Sequence, residues 1–412
     1  MVGSFVFAFA AWLLTFLIAK HSGAGHYQDA GIFAVAASYG NIFRIISAYG
    51  LRPYQISETG DASVDQPYIA SRVVTVLLGA VLCLAGSLLF GYDAEQIWAI
   101  NIYMIFNNVC AFADVLYGVM QRHGRIDLSG VSMTLRGVIT TIVFGVCLFL
   151  TNDLLLSLWA LTISAALILV FYDFPVTNRY YPVRLSRADF QSSGTYQLLK
   201  RGFPMLLFSV FITLITFAPR ILLERMAGHA EVGIFTYVFT PTVVISTFAT
   251  GVLMPYITKM TEYWDARDYK KLRNAFFAPF GMILLIGVCG VGFSYLLGRW
   301  MLTLLYDAIV GEHTNLLVIA VVASTLLSLS ACCNNILIVV RRMKALTYLN
   351  AAGLLLTMAA CYWLIPPYGM YGAGYAMVLG VTLELLVTAP LIASILRQAK
   401  MPKVQPNITP NN

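Results

Sequence analysis

Residues 71–90 read SRVVTVLLGAVLCLAGSLLF, a stretch that carries one charge at its start and none afterwards. A helix of about 20 residues crosses the hydrocarbon core of a bilayer, because each residue adds about 1.5 Å and the core is about 30 Å thick. Similar stretches follow one another along the whole chain. The sequence therefore predicts an all-α integral membrane protein.

The apolar stretches predict twelve spans. They lie near residues 3–19, 30–51, 71–90, 95–118, 130–150, 154–173, 203–223, 231–256, 276–297, 313–340, 345–365 and 370–396. The composition agrees, since 59% of the 412 residues are hydrophobic and 11% are charged, whereas soluble domains contain roughly 25% charged residues. No soluble core is expected.

The basic residues lie in every second gap between the spans. Of the 26 lysines and arginines, 20 lie in these alternate gaps or in the C-terminal tail. Basic loops stay in the cytoplasm, so both termini are predicted to be cytoplasmic. The net charge of +7 then follows from topology, and no nucleic acid partner is needed to explain it.

A short motif occurs twice in the chain. Residues 24–33 read AGHYQDAGIF and residues 227–235 read AGHAEVGIF; further on, GLRPYQIS at 50–57 matches GVLMPYIT at 251–258 in nearly the same register. Six spans separate the equivalent positions, so the two halves have the same orientation in the membrane. This is the parallel-repeat architecture of alternating-access transporters.

The repeat divides the chain into two bundles of six spans. We predict an N-terminal bundle over residues 1–173 and a C-terminal bundle over 203–396. A basic cytoplasmic linker over 174–202 joins them, and residues 397–412 form a cytoplasmic tail.

Polar side chains inside the spans indicate where a lumen is expected, because an ionisable group at membrane depth is costly and usually faces a cavity or a partner. The candidates on polar stripes are Asn41, Arg44, Asn107, Asp114, Arg220, Asn335 and Glu384, and Arg52 follows the second span. We favour Arg44, the deepest cation in the cytoplasmic half, as a substrate-binding residue. Asp114 and Glu384 are the candidates for coupling to a proton or sodium ion.

Each candidate also has a structural interpretation. Small and polar residues mediate close helix packing in membranes. Arg220 and Glu224 are four residues apart and can form a local ion pair, and Arg136 can extend to the lipid headgroups. Arg44 and Asp114 can pair with each other, which leaves neither free for a ligand.

Motifs of soluble enzymes are absent from the sequence. It contains no phosphate-binding loop, no GxSxG and no HExxH, and we expect no catalytic residue, no metal and no resident cofactor. A membrane-embedded glycan polymerase or ligase remains the alternative of another class. Such an enzyme usually carries its reacting groups on a long outward loop, whereas the outward gaps here are short apart from residues 298–313.

Three segments resemble a known family. AGIF at 30–33 opens the second span, RPYQISE at 52–58 follows it, and VGIF at 232–235 opens the eighth. They resemble the Wzx-type polysaccharide repeat-unit flippases of bacterial cytoplasmic membranes. These flippases share a superfamily with the multidrug and toxin extrusion (MATE) transporters, whose two six-helix bundles surround a central cavity.

The resemblance implies a substrate and partners. The substrate would be an undecaprenyl-diphosphate-linked oligosaccharide used for O-antigen, capsule or exopolysaccharide assembly, and the partners would include the polysaccharide polymerase and chain-length machinery. Arg44 and Arg52 would attract the diphosphate, while Asn41, Asn107 and Asn335 would bind the sugars. A drug or cation antiporter and a peptidoglycan-precursor flippase of the same fold remain alternatives, although a lumenal arginine argues against the antiporter.

Overall fold

A computed structural model describes residues 2–22, 27–57, 65–179 and 193–397, and these residues form helices joined by short turns. The first half contains α1 (Val2–Ser22), α2 (Gln28–Ala48), the short α3 (Arg52–Ser57), α4 (Asp65–Leu89), α5 (Ala94–Arg122), α6 (Ile126–Thr151) and α7 (Leu154–Ile168). A π-helical turn, Leu169–Asp173, continues α7 into α8 (Phe174–Asn178).

The second half repeats this pattern with longer helices. It contains α9 (Ser193–Ala227), α10 (His229–Phe239), a 3-10 turn (Thr240–Thr242), α11 (Val243–Asp265), α12 (Tyr269–Leu305), the short α13 (Ala308–Glu312), α14 (Thr314–Val339) and α15 (Met343–Arg397). Helix α9 begins at Ser193, ten residues before the span predicted there, while residues 180–192 of the predicted linker and 398–412 of the tail lie outside the described residues.

Eleven helical segments in the described ranges are long and apolar enough to cross a membrane. The last of them, α15, is two spans, because Gly369 with φ 53° and ψ −130° breaks it into a first and a second arm. A residue with a Cβ atom rarely adopts such a positive φ. The described chain therefore has the twelve spans that the apolar stretches predict.

Aspartate side chains fix several helix starts. Asp93, Asp153 and Asp307 each accept a hydrogen bond from a backbone N–H in the first turn of α5, α7 and α13, at 2.8–3.0 Å. Such caps satisfy amides that have no partner inside the helix. These caps stabilise the turns that precede α5 and α7 in the first bundle and α13 in the second, all at the same end of the bundles.

The two bundles meet where α2 and α10 begin, at the two copies of the sequence motif. A Cβ added to Gly31 would overlap the backbone carbonyl of His229, and one added to Gly233 would lie 2.6 Å from the carbonyl oxygen of Tyr27. Gly31 and Gly233 are equivalent positions of the motif, and Tyr27 and His229 lie four residues before them. The contact is thus reciprocal, as expected for two parallel repeats related by a pseudo-twofold axis.

Candidate functional site

A cavity of about 400 Å³ lies between the two bundles. Its walls come from α1, α2 and α5 of the first half, and from α9, α10, α11, α14 and the second arm of α15. The cavity falls within the range of about 300–1,000 Å³ that is usual for small-ligand sites. Hydroxyl groups are concentrated on the C-terminal side, for example at Thr242, Ser246, Ser324 and Ser328, while Trp12 on the opposite wall supplies an aromatic face.

Arg220 is the charged side chain among the described residues that line this cavity. It follows Pro219 within α9. Its guanidinium carbon lies 5.2 Å from the centre of the Phe217 ring, and its buried Nε has no hydrogen-bond partner among the described residues. Because a guanidinium has five donor hydrogens, Arg220 presents unused donors to an anion.

The predicted ion pair between Arg220 and Glu224 is not formed. The carboxylate of Glu224 points elsewhere, with Oε1 3.7 Å from Nδ1 of His229 and Oε2 3.8 Å from Nε of Arg225. In the described part of the chain, no acidic side chain neutralises Arg220. The cavity therefore has a positive potential, since no Asp or Glu occurs among its described lining residues.

Arg44 does not line the cavity. It is half-buried on α2, makes no hydrogen bond or ion pair with the described residues, and lies in the electrostatic neighbourhood of Tyr103 and Cys110 on α5. Tyr103 itself is part of the cavity wall. Arg220 is thus a lining residue of this cavity and Arg44 is not, although Arg44 follows the lining residue Asn41 by three positions on the same face of α2.

Of the three predicted asparagines, Asn41 lines the cavity. Its Nδ2 donates to the carbonyl of Ala37 at 2.8 Å, so Oδ1 is available to a ligand. Asn107 is buried and donates to the carbonyl of Tyr103 at 3.0 Å, and Asn335 donates to that of Ala331 at 2.8 Å. Neither of these two is among the described lining residues.

Asp114 pairs with two arginines, and Arg44 is not one of them. Oδ1 of Asp114 is 2.7 Å from Nη1 of Arg52, and Oδ2 is 3.4 Å from Nη2 of Arg72. Arg72 is fully buried and also donates to the carbonyl of Ser47 at 2.7 Å. The pairing of Arg44 with Asp114 that the sequence allowed is not formed. The ion pairs of Asp114 join α5 to α3 and α4, and Arg72 links this cluster to α2.

A second buried ion pair joins α6 to the π-helical turn. Nη2 of Arg136 is 2.6 Å from Oδ2 of Asp173, and both side chains are inaccessible. Arg136 therefore does not extend to the headgroups, contrary to one interpretation of the sequence. Asp173 is not among the sequence candidates because it ends a predicted span. Asp65, which pairs with Arg122 at 2.8 Å, is not among them because it lies before a span.

Glu384 lies away from the cavity wall, in the interior of the C-terminal bundle. It is 4% exposed and accepts a hydrogen bond from Oγ of Ser330 at 2.9 Å. Unlike the buried aspartates of the first bundle, it has no basic partner among the described residues.

Contacts between the bundles close the cavity at the end where α2 and α10 begin, which we call the closed end. Tyr27 donates to Oδ2 of Asp307 at 2.8 Å, and Lys20 donates to the carbonyl of Tyr306 at 3.3 Å. The guanidinium carbon of Arg225 lies 4.2 Å from the centre of the Tyr92 ring. Each contact joins one bundle to the other.

Two family models match the sequence. The one described as polysaccharide biosynthesis protein matches residues 27–261, and the one described as MatE matches residues 204–363. A relative in Staphylococcus aureus, the capsular polysaccharide biosynthesis protein CapF, is 25% identical over 286 residues, which cover 68% of this chain and 69% of CapF.

Solved transporter structures share the fold. An inward-facing multidrug resistance MATE family transporter of the MOP superfamily has a TM-score of 0.65 at 14% identity, with 97% of this chain and 96% of that chain covered. For a MOP superfamily transporter from Pyrococcus furiosus, described as having a binding pocket of reverse polarity, the TM-score is 0.60 at 16% identity, with 98% and 94% covered. These likenesses confirm two parallel six-helix bundles around a central cavity.

Proposed function

Because the chain belongs to the polysaccharide biosynthesis protein family, whose model matches more than half of it, we propose that it is a flippase for an undecaprenyl-diphosphate-linked oligosaccharide. The lipid-linked repeat unit would cross the bacterial cytoplasmic membrane by alternating access, for O-antigen, capsule or exopolysaccharide assembly. The observation that carries this proposal is the positively charged cavity with Arg220 in its wall.

The chemistry of the cavity suits the head group of such a lipid. A diphosphate needs charged donors in a medium of low dielectric constant, where their attraction is much stronger than in water. Arg220 supplies such donors, with no acidic neighbour among the described lining residues to compete for them. The hydroxyl groups of α11 and α14 and the free oxygen of Asn41 suit the sugars, and the ring of Trp12 offers a stacking surface.

The rival transport functions make different demands on the cavity. A drug or cation antiporter needs acidic or aromatic groups to hold a cation, and the uncompensated Arg220 repels one. A peptidoglycan-precursor flippase carries the same diphosphate, so the two flippase functions differ in the attached glycan. A glycan polymerase or ligase would require reacting groups that the described cavity wall does not contain.

The predicted topology gives the cycle a direction. With both termini in the cytoplasm, α2 and α10 begin at the outer face, so the closed end is the outer gate. The cavity then receives the head group from the cytoplasmic leaflet, and the bundles part at the outer gate to release it to the polymerase and chain-length machinery.

Translocation in proteoliposomes tests this function. A fluorescent undecaprenyl-diphosphate oligosaccharide is reconstituted with the native protein, with Arg220→Ala, or with the matched control Arg299→Ala, whose arginine is exposed on α12. We expect native rates for Arg299→Ala and a loss of at least tenfold for Arg220→Ala, because a charge-assisted hydrogen bond contributes about 1.5–3 kcal/mol. Equal rates in all three proteins, or transport of a drug cation in place of the lipid, would refute the proposal.

A further inference from the structure

Glu384 differs from the other acids buried in this protein. Asp65 and Asp173 each pair with an arginine, at 2.8 and 2.6 Å. Glu384 is as deeply buried, yet Ser330 is its hydrogen-bond donor and no lysine, arginine or histidine pairs with it in the described ranges. An ion pair therefore does not explain how the protein tolerates the buried carboxyl group of Glu384.

The helices packed around Glu384 supply neutral groups. Gly353, on the first arm of α15, lies against Cγ and Oε2 of Glu384. Beside Ser330, the side-chain amides of Asn334 and Asn350 donate to each other at 3.4 and 3.1 Å. From α9, the apolar side chain of Ile215 packs in one cluster with Val381 and Leu385, which lie beside Glu384 on the second arm of α15.

Cys333 on α14 is the titratable side chain that faces Glu384 from these elements, among the residues that the structure describes. A thiol supplies no positive charge. A bare carboxylate in such surroundings is costly, because one neutral donor does not replace its hydration. A bound proton removes that cost.

The amide oxygens of Asn334 and Asn350 already accept hydrogen bonds from each other, so the cluster offers few free oxygens to a metal ion.

Both helices that meet at Glu384 also line the cavity. On α14, Ser328 and Ala331 are lining residues on either side of Ser330. On the second arm of α15, Met377 is a lining residue seven positions before Glu384, which is about two helical turns and hence the same face. A change of charge at Glu384 therefore acts on two helices that also form walls of the cavity.

We propose that Glu384 is a proton-binding site whose loading and unloading drives the rearrangement of the C-terminal bundle. In each cycle the carboxyl group takes a proton from one side of the membrane and releases it on the other, and the cavity walls on α14 and α15 move with the change of charge. The site itself stands on the contacts around Glu384. Its coupling to glycan movement rests on the proposed function.

Infrared difference spectroscopy of the purified protein tests the site without any substrate. A carboxylic acid and a carboxylate absorb in separate bands, so a pH titration follows the proton directly. We compare the native protein with Glu384→Gln, with Ser330→Ala, and with Glu262→Gln, a matched control because Glu262 is exposed on α11. The variant Glu384→Gln keeps the shape of the protonated side chain and is expected to fold.

We expect a buried carboxylic acid band in the native protein and in Glu262→Gln, a shifted band in Ser330→Ala, and its absence from Glu384→Gln. An identical acid band in all four proteins would overturn the proposal. So would a band that responds to sodium concentration and not to pH, which would indicate a sodium site.

A transport measurement then tests the coupling. In proteoliposomes, a pH gradient should drive lipid-linked glycan uphill with native protein, while Glu384→Gln should only equilibrate it between leaflets. Gradient-driven transport by Glu384→Gln would overturn the coupling. If the acid band behaves as expected but no lipid-linked glycan moves in native protein, the proposed function fails and the proton site stands.

Discussion

Replacing Gly233 by alanine should weaken the closed end without affecting the rest of the structure. An added Cβ would lie 2.6 Å from the carbonyl oxygen of Tyr27, whereas real Cβ atoms essentially never come closer than 3.0 Å to such a neighbour. The obstacle is backbone, so α2 and α10 must separate by at least 0.4 Å. Overpacking of this kind costs about 1–3 kcal/mol, which shifts the ratio of closed to open protein by about 5- to 150-fold.

Labelling of a single cysteine measures this shift. Thr236 lines the cavity on the same helix, and a thiol introduced by Thr236→Cys in a background without the native cysteines becomes reachable from the closed end when the bundles part. We expect a membrane-impermeant reagent to label it faster in Gly233→Ala, by a factor in the range above.

The matched control is Gly251→Ala, because a Cβ at Gly251 on α11 meets nothing within 4 Å. It reproduces the change in helix propensity, which favours alanine by about 0.5–1 kcal/mol, without the steric overlap. Equal labelling rates in Gly233→Ala and Gly251→Ala would refute the argument that this glycine holds the closed end together.

Three further substitutions test other contacts. Arg136→Met should lower the melting temperature of the purified protein markedly, since an unpaired buried charge costs about 3–5 kcal/mol, and adding Asp173→Leu should restore it; a double variant no more stable than the single one would contradict this. Tyr27→Phe removes the hydrogen bond to Asp307 and should increase labelling from the closed end by about two- to tenfold, for a loss of about 0.5–1.5 kcal/mol. Asp93→Ala removes the cap of α5 and should cost about 0.5–2 kcal/mol in thermal melting, whereas an unchanged midpoint would show that the cap is dispensable.

The sequence predicted the spans because hydrophobicity in a bilayer is a property of each segment by itself. It did not predict which arginine faces the cavity, since that depends on how each helix is rotated against its neighbours. Arg220 and Glu224 are one turn apart on α9, yet Glu224 pairs with Arg225 beside it and with His229 beyond the end of that helix.

The burial of Arg72 could not be predicted from the sequence either. Arg72 is the second residue of the predicted span 71–90 and is counted with the basic gaps that indicate the cytoplasmic side. An arginine at that position is expected to reach the lipid headgroups. In the structure it is fully buried and donates to the carbonyl of Ser47 on α2. The periodic pattern of one helix does not predict such hydrogen bonds between helices, because the two partners are remote in sequence.

The reciprocal contact of Gly31 with His229 and of Gly233 with Tyr27 has an evolutionary consequence. In an isologous dimer, the same surface of both subunits meets across the twofold axis, so each contact between two positions occurs twice. A six-span ancestor with one copy of the motif already carries both sides of this contact, so gene fusion preserves it intact. Since the glycines meet backbone atoms, the contact does not depend on which side chains Tyr27 and His229 carry, whereas a side chain added at either glycine would disrupt it.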